Sequence, residues 1–574
     1  MNTMYRLRPG LDLKDPIEIT IGYSEIAKKL KKELDRKGYR KVALEVHPGI
    51  EIELLLQALR QQFTSSMVVS TDSLYLPAEY IYQEIADELT EDAVFGRFSH
   101  HKFQDFLSAL KVKELYEEMA GCSFPLILVG VGATKVISYD CLVYADCTRW
   151  ELQSRYKKGL SNWMGLRENS FNEKIKRAYY FEWPASLEIK NQLLPHCDYY
   201  VDMSTKAEPK MIEGIAMRMA LKQLTQQPFR LVPFFEPGIW GGEWLQEKFQ
   251  VGLDEQNLAW CFDGVPEENS LNFRIGEDVE FDMPAQNLVS LYPLELLGKK
   301  VFGRYGRDFP IRFNYLDTMN GQNLSLQVHP TLDYAYRNFG AKYTQDESYY
   351  IMDCKEGAKV YLGVKNGLTK KELVGEFEKS QQSGTFDDET YINQFLVKKH
   401  DHVLIPGGTI HSSGKNCVVL EISSTPNRFT FKLWDWGRLD MDGKPRPISI
   451  HHGKHVIDIE CTEEYAKNQL YNQITIVEES EGLREERTGL HETESIETRR
   501  LIFSKPIKQS TSKSVNMLNL VEGKHIQVIS PEDAFDPFDV YYGETFIIPE
   551  GVGEYILKPM NDDEENIVIK AYIR

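Results

Sequence analysis

The 574-residue chain lacks several features that would each have assigned it a class. No apolar run approaches the roughly 20 residues of a membrane span, so no membrane-spanning helix is expected. No two cysteines form a CxxC pair. Cys122, Cys141, Cys147, Cys197, Cys261, Cys354, Cys417 and Cys461 are scattered, and Cys122, Cys141 and Cys417 sit beside or within apolar strand-like runs. Reduced core thiols are expected, not a disulfide framework. Cations are in deficit: 67 Lys and Arg against 86 Asp and Glu leave a net charge of -19. Such a chain repels nucleic-acid phosphates, although a metal and local cations inside a pocket still allow a phosphorylated small substrate. The opening segment, residues 1–16, has no apolar core of signal-peptide length, and the expectation is a soluble, cytoplasmic protein.

The chain is rich in core-forming residues. A hydrophobic share of 42% and an aromatic share of 11% are those of a folded protein, and the length predicts two to four domains. Residues 1–227 alternate helical and short apolar segments: a basic amphipathic helix over 26–37, then strands at 41–46, 67–70, 125–131 and 141–145, with a basic segment over 149–158. This βαβ alternation predicts a parallel sheet covered by helices. The segment Val68-Val69-Ser70-Thr71-Asp72-Ser73-Leu74-Tyr75 and the basic run Asp146 to Arg155 resemble the substrate-facing and lid regions of nucleoside-kinase-like P-loop domains. The phosphate loop itself is missing. Such a loop needs glycines, so that backbone N–H groups can wrap phosphate, and a Lys-Ser/Thr pair. The first strand is followed instead by His47-Pro48-Gly49-Ile50-Glu51-Ile52-Glu53, with a proline that removes a donor and glutamates that repel phosphate. Gly130-Val131-Gly132-Ala133-Thr134-Lys135 is the nearest substitute, but it follows the wrong strand with the wrong spacing. A degenerate fold kept for packing or ligand sensing is expected.

A junction at Gln226-Gln227-Pro228 opens a second region, 228–460, of strand-like pieces with Gly and Pro turns, interrupted by a helical charge pattern over 368–380. At its centre stands Leu324-Ser325-Leu326-Gln327-Val328-His329-Pro330. On a strand Gln327 and His329 point to one face, with Leu326 and Val328 on the other. Glu347 could add a carboxylate from a following strand and His411 a second imidazole from a later one. The set Gln327, His329, Glu347 and His411 suits zinc, or another first-row divalent ion, with positions left open for water and substrate.

The runs LSLQVHP, DESYYIMD, LIPGGTIHSSG and VVLEIS, preceded by Leu231 to Gly242 with its Ile-Trp-Gly-Gly, resemble type I mannose-6-phosphate isomerase, a zinc-dependent cupin enzyme. Order and spacing hold from about residue 229 to 438. The resemblance implies a cupin barrel with a helical excursion and a phosphorylated hexose as substrate, with Ser325 and Lys432 as substrate contacts. It also implies Lys432 and Arg438 as catalytic candidates acting on phosphate or oxyanion. In the tail, 461–574, Phe546 to Tyr555 echoes Leu404 to His411 and puts Gly553 or Glu554 about where the histidine would be, which predicts a second cupin barrel without a metal site. The charged stretch 478–499 reads as a loop or connecting strand. The architecture expected is therefore multidomain: an α/β parallel-sheet, P-loop-kinase-like domain followed by all-β cupin barrels.

Three positions depart from the family pattern. Gln345 stands where the family has a lysine two residues before its glutamate ligand. Lys432 stands for an arginine, keeping charge but losing the planar fork. Trp260-Cys261-Phe262-Asp263 replaces a Trp-Glu-Ile/Val-Ser segment. Two readings follow: an isomerase interconverting mannose 6-phosphate and fructose 6-phosphate, and a metal-binding cupin that senses or binds sugar without turnover. A bifunctional kinase–isomerase is opposed by the missing phosphate loop.

Overall fold

A computed structural model describes residues 4–13, 17–121, 124–166, 170–276, 279–425, 428–439, 443, 446–489, 491, 493–561 and 565–574, so Cys122 lies outside the described residues. The chain forms two compact units. One contains Gly10–Gln223 and Ser270–Tyr292; the other contains Met1–Pro9, Leu224–Asn269 and Pro293–Arg574.

The first unit is built on a seven-stranded sheet. Its five parallel strands run in the order Tyr199–Asp202, Cys141–Asp146, Lys41–Val46, Leu126–Gly130 and Met67–Ser70, and two antiparallel strands, Lys210–Glu213 and Thr20–Ile21, extend one edge. Val42, Leu44 and Val46 bury one face of the central strand in a core with Ile26, Leu30 and Leu34 of helix Tyr23–Lys37 and Leu55, Leu56 and Leu59 of helix Glu53–Gln62. Near-continuous apolar strands are what a sheet covered on both faces requires. The hairpin Ser270–Ile275 and Val279–Pro284 belongs to this unit and pairs with Leu11–Asp12, although it follows the sequence boundary at 227.

The turns of this unit explain how its strand ends are filled. The Glu45 carboxylate accepts hydrogen bonds from Gly132 N (2.5 Å), Thr134 N (2.9 Å) and Thr134 Oγ1 (2.8 Å). The glycine-rich turn after Leu126–Gly130 thus already cradles an anion, one from its own chain. At Gly49, where φ is +87°, a Cβ would meet the Tyr156 hydroxyl at 2.7 Å. The basic run forms helix Arg149–Lys157, where Arg155 bonds Glu151 (2.8 Å) and Met203 O (2.7 Å), and Arg149 lies over the Trp183 ring at 4.0 Å.

The second unit is antiparallel β. One six-stranded sheet runs His402–Ile405, Glu347–Cys354, Cys417–Ser424, Ile311–Asp317, Trp260–Gly264, Phe234–Glu236. It faces a five-stranded sheet, Ile392–Leu396, Lys359–Val364, His411–Ser413, Leu326–Val328, Phe431–Trp434, across a core that includes Leu316, Ile351, Val360, Leu362, Val403 and Val419. The helical excursion is Lys370–Ser383. Thr369 caps it reciprocally with Glu372, and Gly384 ends it at φ 72°. A second pair of sheets, of six and four strands, encloses Leu501, Leu518, Val528, Phe546, Tyr555 and Val568. Of the two alternatives for the charged tail stretch, loop or connecting strand, the strand is the one formed. The charged stretch 478–499 is largely sheet, falling in strands Thr475–Ser480, Leu483–Gly489 and Ile496–Phe503. Its charges pair across strands, as Arg499 does with Glu485 (3.0 Å), so polarity there marks a solvated sheet edge. Among the described residues no helix is long and apolar enough to cross a membrane.

Candidate metal centre

Antiparallel register assembles the site in the second unit. Gln327 pairs with His411 on one side and Lys432 on the other, so these three side chains share a face. From the facing sheet Glu347 projects into the same space, and the ligand atoms of His329, Glu347 and His411 all lie within 4.8 Å of one another. All three are buried, and Gln327 is 7% exposed.

The hydrogen bonds set the chemistry. His329 donates from Nδ1 to Phe429 O and His411 from Nδ1 to Thr409 O, each at 2.9 Å. With both protons so assigned, the Nε2 lone pairs face inward, the arrangement by which second partners orient metal-binding imidazoles. His329 Nε2 stands 2.6 Å from Glu347 Oε2, and His411 Nε2 stands 3.9 Å from Glu347 Oε1, which has no hydrogen-bond partner. A lone pair and a carboxylate oxygen at 2.6 Å repel unless a proton or a cation lies between them. Burial opposes charge on His329, but the Glu347 carboxylate outweighs it and raises the imidazole above its usual range. Glu347 is pushed up by burial, yet the His329 charge holds it below the ordinary carboxylate value. Burial, with His329 beside it, lowers His411 to about 4. Two imidazoles, one carboxylate and one amide fit a first-row divalent ion, zinc included.

The other expected residues are distributed around this group. Ser325 Oγ donates to Gln327 Oε1 at 3.2 Å, so the serine orients the amide. Gln327 Nε2 lies 3.2 Å from His411 Nε2. Gln345 donates from Nε2 to Glu347 Oε2 at 3.3 Å, so the residue at the departed lysine position contacts the carboxylate. Arg438 is engaged by its own loop and by a distant segment, with Nε on Asp435 O at 3.2 Å, Nη2 on the Asp435 carboxylate and Nη1 on Asn323 O at 2.7 Å.

Glu421 was not singled out from the sequence. It pairs in register with Asn314 and Tyr349 and accepts from Ser423 Oγ (2.9 Å) and Asn314 Nδ2 (3.2 Å). Burial, and then the charge of Glu347, push its carboxyl up to about 7. The available signal was a lone carboxylate inside the apolar strand Cys417–Ser424, eight residues all buried.

Comparison with known proteins supplies the context. Residues 22–226 match the family described as Domain of unknown function (DUF8485). The mannose-6-phosphate isomerase ManA of Bacillus subtilis is 27% identical over 336 residues, spanning 58% of this chain and 97% of that protein. The mannose-6-phosphate isomerase of Streptococcus mutans is 25% identical over 236 residues, 41% of this chain and 68% of that protein. The crystal structure of the mannose 6-phosphate isomerase from Bacillus subtilis superposes with a TM-score of 0.51 at 21% identity, covering 61% of this chain and all of that one. That likeness shows the fold. The family match over residues 22–226 coincides closely with the Gly10–Gln223 segment of the α/β unit.

Proposed function

We propose that the chain is a metal-dependent aldose–ketose isomerase interconverting mannose 6-phosphate and fructose 6-phosphate. The observation that carries the reading is the convergence of His329, Glu347 and His411, with both Nδ1 protons tied back to carbonyls and Gln327 beside them. The relatives named mannose-6-phosphate isomerase support it. Gln327, His329, Glu347 and His411 would hold the ion. A bound divalent ion would supply Lewis-acid stabilisation of negative charge on the sugar's C1 and C2 oxygens.

The remaining chemistry falls to the chain. Isomerisation moves a proton between C1 and C2 through an enediolate, which needs a base poised near neutrality. Burial raises the Glu421 carboxyl toward that range, and Asn314 and Ser423 hold it in one orientation. Lys432, across from Gln327, is the cation nearest in register to the ligand strand and serves the oxyanion or the phosphate. Ser325 acts through Gln327. The ion-paired Arg438 favours a second reading, a metal-binding cupin that holds sugar without turnover. For the α/β unit we infer a kinase-like domain without its phosphate loop, a reading supported by the parallel strand order and by Glu45 filling the Gly132 turn.

The test is turnover of mannose 6-phosphate by zinc-reconstituted protein, with His329→Ala as control. Activity abolished in the variant supports the isomerase. One zinc per chain without turnover favours the binding reading.

A further inference from the structure

Arg312 is a buried cation that the site described above does not use. It lies on strand Ile311–Asp317, is 1% exposed, and its Nε and Nη1 have no hydrogen-bond partner. Its ion-pair partner is Glu267, whose Oε2 stands 3.5 Å from Nη1 without a hydrogen bond and has no hydrogen-bond partner of its own. The Thr425 hydroxyl donates to the other oxygen of Glu267. The pair holds the guanidinium in place without saturating its fork. A desolvated guanidinium with free N–H groups is costly in a folded core unless something completes it.

Register says where those groups face. Arg312 is paired with Ser423, and Ser423 with Glu347, across three adjacent strands. Cross-strand partners project from the same face, so Arg312 and Glu347 share the face that carries the candidate metal centre, about 10 Å apart along the sheet at ordinary strand spacing. Between them stands the small side chain of Ser423, whose hydroxyl is turned to Glu421. An open-chain hexose phosphate has this reach between its carbonyl end and its phosphorus. The position also matters chemically: with Arg438 engaged by Asp435 and Asn323, Arg312 supplies the planar, bidentate donor that a phosphate monoester selects over a point charge.

We propose that Arg312 is the phosphate-binding residue of this site, taking the terminal phosphate monoester of an acyclic sugar whose carbonyl end lies toward Glu347. The sugar part rests on the isomerase reading; the anion part does not.

The test uses the full zinc-loaded chain and calorimetric titration with mannitol 6-phosphate, a reduced sugar phosphate that cannot isomerise, with mannitol and inorganic phosphate alongside. In Arg312→Met, mannitol 6-phosphate affinity should fall about 10- to 100-fold, the loss expected for charge-assisted hydrogen bonds. Mannitol binding and zinc stoichiometry should be unchanged. Arg312→Lys should fall between, with charge kept and the fork lost, and it carries the test if the methionine variant fails to fold. Equal affinity for mannitol 6-phosphate in wild type and variants overturns the proposal, as does absence of phosphate binding in the wild type. If inorganic phosphate binds in an Arg312-dependent way but no sugar phosphate is turned over, the isomerase reading fails and the anion site stands. Turnover with Arg312-independent affinity gives the reverse.

Discussion

His329 and His411 each spend Nδ1 on a backbone carbonyl, which leaves Nε2 as the only ring atom able to meet Glu347. Removing either imidazole therefore removes a proposed ligand whose tie to the backbone is a single hydrogen bond. His329→Ala is expected to lose stoichiometric zinc, measured by metal analysis after dialysis, together with turnover. Glu421 is separable from the ligands. Glu421→Gln keeps its hydrogen-bonding shape with Asn314 and Ser423 but cannot take a proton, so zinc content should hold while kcat falls by about 10² to 10⁴. A variant that retains kcat would remove Glu421 as the base. Gln345 and Ser325 act one step back, each by a single hydrogen bond to a proposed ligand, at 3.3 and 3.2 Å. Their loss should loosen zinc binding more than it slows the chemistry.

Strands and caps set the next scale. The Glu347 strand is held on both sides, by Cys417–Ser424 and by His402–Ile405, so the carboxylate rides on a central strand. Beside it His402 is wholly buried between two hydroxyls, Thr488 Oγ1 and Ser348 Oγ, both at 3.0 Å, and burial with Arg500 nearby lowers it to about 3. The unfolded chain protonates this histidine near 6.5, and the folded chain does not. Its contribution to stability is therefore full above pH 6.5 and is lost as pH falls toward 3, at up to about 1.4 kcal/mol per pH unit. In metal-free protein, thermal or urea midpoints followed from pH 7 to pH 4 should fall less steeply in His402→Gln than in wild type. Equal slopes would mean that the acid response comes from other groups. At the helical excursion, Thr369→Ala removes one half of a reciprocal cap and should cost about 1 kcal/mol, read from urea denaturation of the β unit.

For the whole molecule, the missing phosphate loop after the first strand, where His47-Pro48-Gly49 is followed by Glu51 and Glu53, and the occupied Gly132 turn make the same prediction. Titration with ATP and magnesium should give no binding heat, because the first strand leads into no phosphate loop and Glu45 already takes the N–H groups of the nearest substitute turn. A stoichiometric isotherm would return a nucleotide-handling role to the α/β unit. Zinc at about 100 times its dissociation constant should stabilise the folded chain by about 2.7 kcal/mol, seen as a higher thermal midpoint that a chelator reverses.

Local pattern by itself determined a good deal here. Alternation placed Gln327 and His329 on one face, βαβ rhythm specified a parallel sheet, and the charge pattern over 368–380 marked a helix that runs Lys370–Ser383. These are short-range periodicities, legible because side-chain direction follows from backbone geometry within a few residues. What needed the tertiary structure were pairings between distant segments: Glu421 facing Asn314 and Tyr349, Arg312 sharing a face with Glu347, Arg438 drawn to Asp435 and Asn323, and hairpin 270–284 joining the α/β unit. Register between strands about 100 residues apart is set by packing and turn geometry, not by local composition, and a slip of one residue would send Arg312 or Glu421 to the opposite face.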